Sequence, residues 1–158
     1  MTERFRGPAG NMLERLTATV GHGSRPHHCF HVFGVYPFVG LLRGGAVDQP
    51  LHVLDRCRIR WGRVIDIAGE QVLVRSRPLT WDGTSLGLGP TRVEPAVITR
   101  DGLGFVQSLR PGDWVALHWD WICERLDRRQ LASLRRVTDE QLAVVNAAAF
   151  PAPAHVLA

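Results

Sequence analysis

The stretch Leu51-HVLDRCRIRWGRVIDIAGEQVLVRS-Arg77 decides the fold class, because it carries the densest run of period-two hydrophobicity in the 158 residues. From Leu51 to Arg60 the chain alternates: Val53, Cys57, Ile59 and then Trp61 fall on one parity, and Arg56, Arg58 and Arg60 on the other. That is the pattern of a half-buried strand. Gly62 interrupts it, Arg63 to Ile67 resumes it, and Ala68-Gly69-Glu70 turns the chain into Val72 to Arg77 as a hairpin.

Working outward, Pro111-Gly112-Asp113 predicts a tight turn, with proline setting φ ahead of glycine, that launches a strand from Trp114 to Ile122. Past Leu126 the apolar period lengthens to about 3.6. Asp127 with Gln130 forms a capping box, and Leu131, Leu134 and Val137 share one stripe. Thr138 with Gln141 restarts a second helical segment carrying Leu142 and Val145. Upstream, Met12 to Val20 reads as a short helix closed by Gly21, and Gly21 to Pro26 as a loop. His28 to Leu42, rich in aromatic and β-branched residues, reads as one or two buried strands bent at Gly34 and Pro37. The expectation is a mainly β fold with α: a small OB-like β-barrel with a C-terminal helix over residues 51–147, an N-terminal extension over 1–50 and a tail over 148–158.

Composition narrows the function classes. Hydrophobic content of 45% and charged content of 22% exclude wholesale disorder. No uninterrupted apolar run of membrane-spanning length occurs. The N-terminus lacks the basic, apolar and small-residue order of a secretory signal. Three cysteines, Cys29, Cys57 and Cys123, form no CxxC, so neither a disulfide scaffold nor a standard zinc cage is expected, and the cytoplasm is the expected compartment. The net charge is +4, and all 19 basic residues are arginine. Such a balance permits nucleic-acid or acidic-protein partners without requiring them.

Three features resemble the HypC/HupF-type chaperones that assemble nickel–iron hydrogenases. Cys57-Arg-Ile-Arg-Trp-Gly62-Arg-Val64 is similar to that family's cysteine-and-glycine opening. The hairpin Val64 to Val74 falls where the family has its first two barrel strands. Gly112-Asp-Trp-Val-Ala-Leu-His118-Trp-Asp-Trp-Ile-Cys-Glu-Arg-Leu-Asp127 keeps the register of its histidine-bearing strand without a gap. The resemblance covers about residues 57–147. It implies an OB-like barrel without turnover of its own. That barrel would carry iron with cyanide and carbon monoxide ligands on Cys57, aided by His118, and would work with a maturation scaffold protein and the hydrogenase large subunit. The chain differs in its internal cysteine, in Trp61 for the family's proline, in Asp120 for its glycine, and in a longer stretch from Pro78 to Leu109.

Taken from the residues alone, each site has a plain alternative. Cys57 is either a soft-metal ligand whose thiol pKa is lowered by Arg56 and Arg58, or a small hydrophobe on the core face. His118 shares a parity with Trp114, Ala116 and Asp120, opposite the apolar Val115, Leu117, Trp119 and Trp121, so Asp120 is placed to orient its imidazole. In a strand, His27, Cys29 and His31 face one way and offer a weaker metal set, best combined with Cys57 and His118. Cys123 reads as structural. Trp81 and Trp114 could form a docking patch for a partner protein. Arg56, Arg58, Arg60, Arg75 and Arg77 could form one basic sheet face, or simply a solvated one. From that face comes the alternative function, an OB-type nucleic-acid-binding module. A Cys57–His118–Asp120 nucleophilic triad ranks last, since no feature locates an oxyanion hole.

Overall fold

The computed structural model describes residue 28 and residues 31–35, 38–100 and 102–147. The helix expected over Met12 to Val20 and the loop from Gly21 to Pro26 lie outside them. A π-helical turn (His31–Val35) and two helices, α1 (Phe38–Arg43) and α2 (Asp48–Cys57), come first. Nine strands follow: β1 (Arg60–Ala68), β2 (Gln71–Ser76), β3 (Leu79–Trp81), β4 (Leu86–Leu88), β5 (Arg92–Val97), β6 (Thr99–Arg100), β7 (Leu103–Gly104), β8 (Trp114–His118) and β9 (Trp121–Leu126). Helix α3 (Arg128–Ala147) closes the described chain.

Five strands curl on themselves in the order β1-β2-β5-β9-β8, with β8 returning to β1. Every seam is antiparallel except β5–β9, a parallel contact reduced to the single pair Val97↔Trp121, so the barrel closes incompletely there. The fold is mainly β with a C-terminal helix. The β1–β2 hairpin turns at Gly69, whose φ of +63 suits the first central position of a two-residue loop. Gly112, at φ +97, makes the second expected turn. Val64, Val72, Val74, Val115, Leu117 and Ile122 fill the barrel.

Two segments expected as strands are helical. Leu51 to Arg60 alternates, but Leu51, Leu54 and Cys57 also recur every third residue. The chain takes that period as α2, burying Leu54 and Cys57. Among its described residues, the segment from His28 to Leu42 takes helical turns that bury Val32, Phe33, Val39 and Leu42, each at most 3% exposed. Pro37 lies outside the described residues. These helices pack with Leu79 and Leu86 of the β3–β4 hairpin and with Leu142 and Val145 of α3, making a second core beside the barrel. Residue 51 lies inside α2, so the N-terminal segment and the barrel are joined by a continuous helix.

The strand expected over Trp114 to Ile122 is in fact a hairpin, β8 and β9, turning at Trp119-Asp120. The register steps from Ala116↔Glu124 to Leu117↔Ile122 and leaves Cys123 bulged. Helix α3 is one helix rather than two. Its capping box forms, with the Asp127 N–H donating to Gln130 Oε1 at 2.8 Å and the Gln130 N–H to Asp127 Oδ1 at 2.7 Å. Thr138 caps nothing: its hydroxyl donates back to the Leu134 carbonyl at 2.8 Å within the helix. Among the described residues no helix is long and apolar enough to cross a membrane.

Candidate metal centre

The site begins where α2 ends. Arg58 terminates the helix in extended backbone (φ −64, ψ 149). Its guanidinium donates to Asp55 Oδ1 at 3.0 and 3.3 Å and to the Arg77 carbonyl at 2.7 Å. Asp55 Oδ1 also accepts the Leu79 N–H at 2.9 Å, tying the helix end to β3. Two residues on, Arg60 donates to Glu94 Oε1 at 2.5 Å, an oxygen that also accepts the Ser76 hydroxyl at 2.5 Å. Arg56 Nη1 lies 2.9 Å from the other oxygen of Glu94. Three arginines between the last turn of α2 and the start of β1 are thereby matched to two buried carboxylates.

Arg56 and Arg60 also hold the β8–β9 turn. The Trp119 N–H donates to the Arg56 carbonyl at 2.8 Å, and Arg60 Nη2 donates to the Trp119 carbonyl. Trp119 sits at φ +54, a strained conformation for a bulky residue, kept there by these bonds. The clamp sets His118, the last residue of β8, against Cys57. The third member is His28, whose Nε2 donates to the Cys57 carbonyl at 2.7 Å and stands 3.9 Å from Cys57 Sγ. The His28 and His118 rings meet edge-on, with centroids 5.1 Å apart and planes at 84°. One ligand atom from each of His28, Cys57 and His118 lies within 4.8 Å of the others.

Electrostatics prepares the two imidazole and thiol groups differently. Burial pushes the Cys57 thiol pKa up. The lowering expected from Arg56 and Arg58 fails because both charges are engaged by Glu94 and Asp55. His118 is pushed down, first by burial, then by His28 and by Arg60, against a smaller opposing pull from the Cys57 carbonyl. The lowering favours the neutral form, the one that binds metals. Its Nε2 is buried without a hydrogen-bond partner. One thiol and two imidazoles suit zinc, iron and other borderline or soft ions, and disfavour calcium and magnesium, which demand oxygen.

Several other expected site residues fall elsewhere. Asp120 does not orient His118: β8 stops at His118, so Asp120 lies in the exposed turn, where its carbonyl accepts the Val97 N–H at 2.7 Å. The triad thus lacks its third member. His27 and Cys29 lie outside the described residues, and His31 is described in its backbone only. The continuous arginine face does not form. Arg58 and Arg60 are 1% exposed because their ion pairs with Asp55 and Glu94 draw them inward, and α2 takes Arg56 out of strand parity. Arg77 is exposed but donates to the Gly89 and Leu88 carbonyls, while Arg75 is exposed on β2.

Neither tryptophan of the expected patch is a bare docking surface. Trp81 packs on the helical core, and Trp114 lies under Arg135, whose guanidinium is 5.0 Å from its ring and 5.7 Å from that of Trp61. The exposed apolar rim lies instead at Leu103, Phe105 and Trp119, which are 75, 73 and 40% exposed. They border an open cavity of about 700 Å³ that reaches His118 and Cys123. Cys123 is half-buried, its thiol pKa pushed up by burial and its Sγ 3.7 Å from the Trp121 carbonyl. His28 was missed by strand parity, which selects 27, 29 and 31; a helical reading of the following segment removes that choice.

A model of a family of unknown function, DUF6390, matches residues 1–152. No curated protein and no solved structure matches the chain.

Proposed function

Because the chain belongs to DUF6390, we propose its role from its own geometry: an accessory or assembly protein for nickel–iron hydrogenase, acting in the cytoplasm without turnover, that handles iron through Cys57 and His118. The observation that carries this reading is the meeting of that thiol and that imidazole, distant in sequence, with the imidazole lining an open apolar cavity and the thiol buried behind it in the helical core. The likeness of Gly112 to Asp127 to the hydrogenase chaperones supports the choice of partner. An assembly factor must also offer a surface to what it assembles, and Leu103, Phe105 and Trp119 supply exposed apolar area around the cavity that His118 lines.

The test is co-expression with a hydrogenase large subunit and the maturation scaffold protein. The expected result is co-purification that Phe105→Ser weakens, together with infrared bands from iron-bound cyanide and carbon monoxide. Those bands should vanish in Cys57→Ala and persist in Cys123→Ala. Absence of both the association and the bands overturns the reading. If Cys57→Ala and Cys123→Ala behave alike, Cys57 has no part in it.

A further inference from the structure

We propose that His28 is a third protein ligand, and that His28, Cys57 and His118 form a resident mononuclear site for a bare divalent d-block ion, zinc(II) or iron(II), with one coordination position left open. This rests on the reading that Cys57 and His118 handle metal, and goes beyond it by naming a further ligand and a different bound species.

The three groups stand slightly wider apart than the ligands of a bound ion. A tetrahedral ion with metal–sulfur and metal–nitrogen bonds of about 2.3 and 2.0–2.1 Å sets its ligand atoms roughly 3.3–3.6 Å apart. Here His28 Nε2 and Cys57 Sγ are 3.9 Å apart, and all three groups span at most 4.8 Å. Each pair must close by only about 0.3–1.5 Å to reach those separations. The orphaned His118 Nε2 gives an independent pointer, since a buried polar atom without a partner is costly and a metal bond would satisfy it.

His28 Nε2 now donates to the Cys57 carbonyl. On binding, the ring presents a lone pair to the ion, and its proton moves to the other ring nitrogen. The Cys57 thiol loses its proton to solvent, so one proton leaves for each ion bound and no electron is transferred. Three protein ligands leave the fourth position to solvent or to a partner's donor atom.

The experiment uses the full chain, stripped with a chelator, and titrates it with cobalt(II) as an optical probe, then with zinc(II) in competition. The expected result is one ion per chain with a sulfur-to-cobalt charge-transfer band and the visible spectrum of a four-coordinate ion. Cys57→Ser should abolish the band. His28→Ala should keep it while weakening affinity by roughly 100-fold, since even outer-shell partners of a metal site contribute about 10–100-fold. Cys123→Ser should match the parent.

His28→Gln separates ligation from the hydrogen bond, because its amide can still donate to the Cys57 carbonyl but binds metal poorly. It must lose affinity as His28→Ala does. If His28→Gln or His28→Ala binds as tightly as the parent while Cys57→Ser does not, His28 is no ligand and only the Cys57–His118 pair survives. If the parent itself takes up no cobalt or zinc, the resident site is refuted. The iron-fragment reading is then left to its own infrared test.

Discussion

Arg58 and Arg60 are the largest of the fully buried side chains among the described residues, and each is held by more than one acceptor. Burying a guanidinium is tolerable only while its counter-charge is present, and removing one partner leaves a stranded charge that costs about 3–5 kcal/mol. Glu94 serves Arg60 and Arg56 at once. Glu94→Ala should therefore lower the unfolding free energy by about 3–5 kcal/mol, measured by urea denaturation at neutral pH. A loss below about 1 kcal/mol would show the pairs to be incidental. The pH dependence has a definite sign. Burial alone would raise the Glu94 carboxyl, but the Ser76 hydroxyl, Arg60 and Arg56 outweigh it and hold its pKa below the ordinary carboxylate value. The stabilisation is thus complete above the unfolded-state value, and is lost as pH falls through the lower folded-state value. The acid limb of the stability curve should be shallower in Glu94→Gln than in the parent.

At the scale of elements, α3 depends on a reciprocal cap that a single substitution removes. Asp127→Ala deletes the acceptor for the Gln130 N–H and should cost about 1 kcal/mol, read as a lower urea midpoint with unchanged slope. An unchanged midpoint would mean that packing of Leu131 and Leu142 alone sets the helix start. This cap was legible in the sequence because Asp127 and Gln130 are three residues apart, and so were the turns at Gly69 and Gly112, where glycine meets a positive φ. That His118 lies on a strand was legible too, but not that the strand ends there, since the expected strand ran on to Ile122. Helix α2 was not legible. Ten residues from Leu51 to Arg60 satisfy both period two and period three, and the arbiter is the Arg58–Asp55–Leu79 knot, which joins parts of the chain that no local window contains. The turn at Trp119 was equally hidden, because a tryptophan at positive φ carries no turn signal and is kept there only by Arg56 and Arg60. Errors at these two places explain why Asp120 and the arginine face were misplaced while Cys57 and His118 still meet.

At the scale of the whole molecule, the two cores are joined at few points, and the candidate centre is among them. Cys57 belongs to the helical core, His118 to the rim of the barrel, and His28 lies ten residues before α1 begins. An ion bound by all three would cross-link the two layers in the folded state and bind little to the unfolded chain, so its affinity becomes stability. At a free concentration 100 times the dissociation constant the gain is about 2.7 kcal/mol. For a chain of this size each kcal/mol moves the melting temperature by about 2–4 °C, so zinc should raise it by roughly 5–11 °C, and a chelator should reverse the shift. The parent and Cys123→Ser should show this rise in differential scanning calorimetry, and Cys57→Ser should not. His28→Ala separates the two halves of the argument. With roughly 100-fold weaker binding the same zinc concentration lies near its dissociation constant, and the gain falls to about 0.4 kcal/mol, a shift of roughly 1–2 °C. A full-sized shift in His28→Ala would mean that the cross-link runs from α2 to β8 alone, with residue 28 anchored only by its bond to the Cys57 carbonyl.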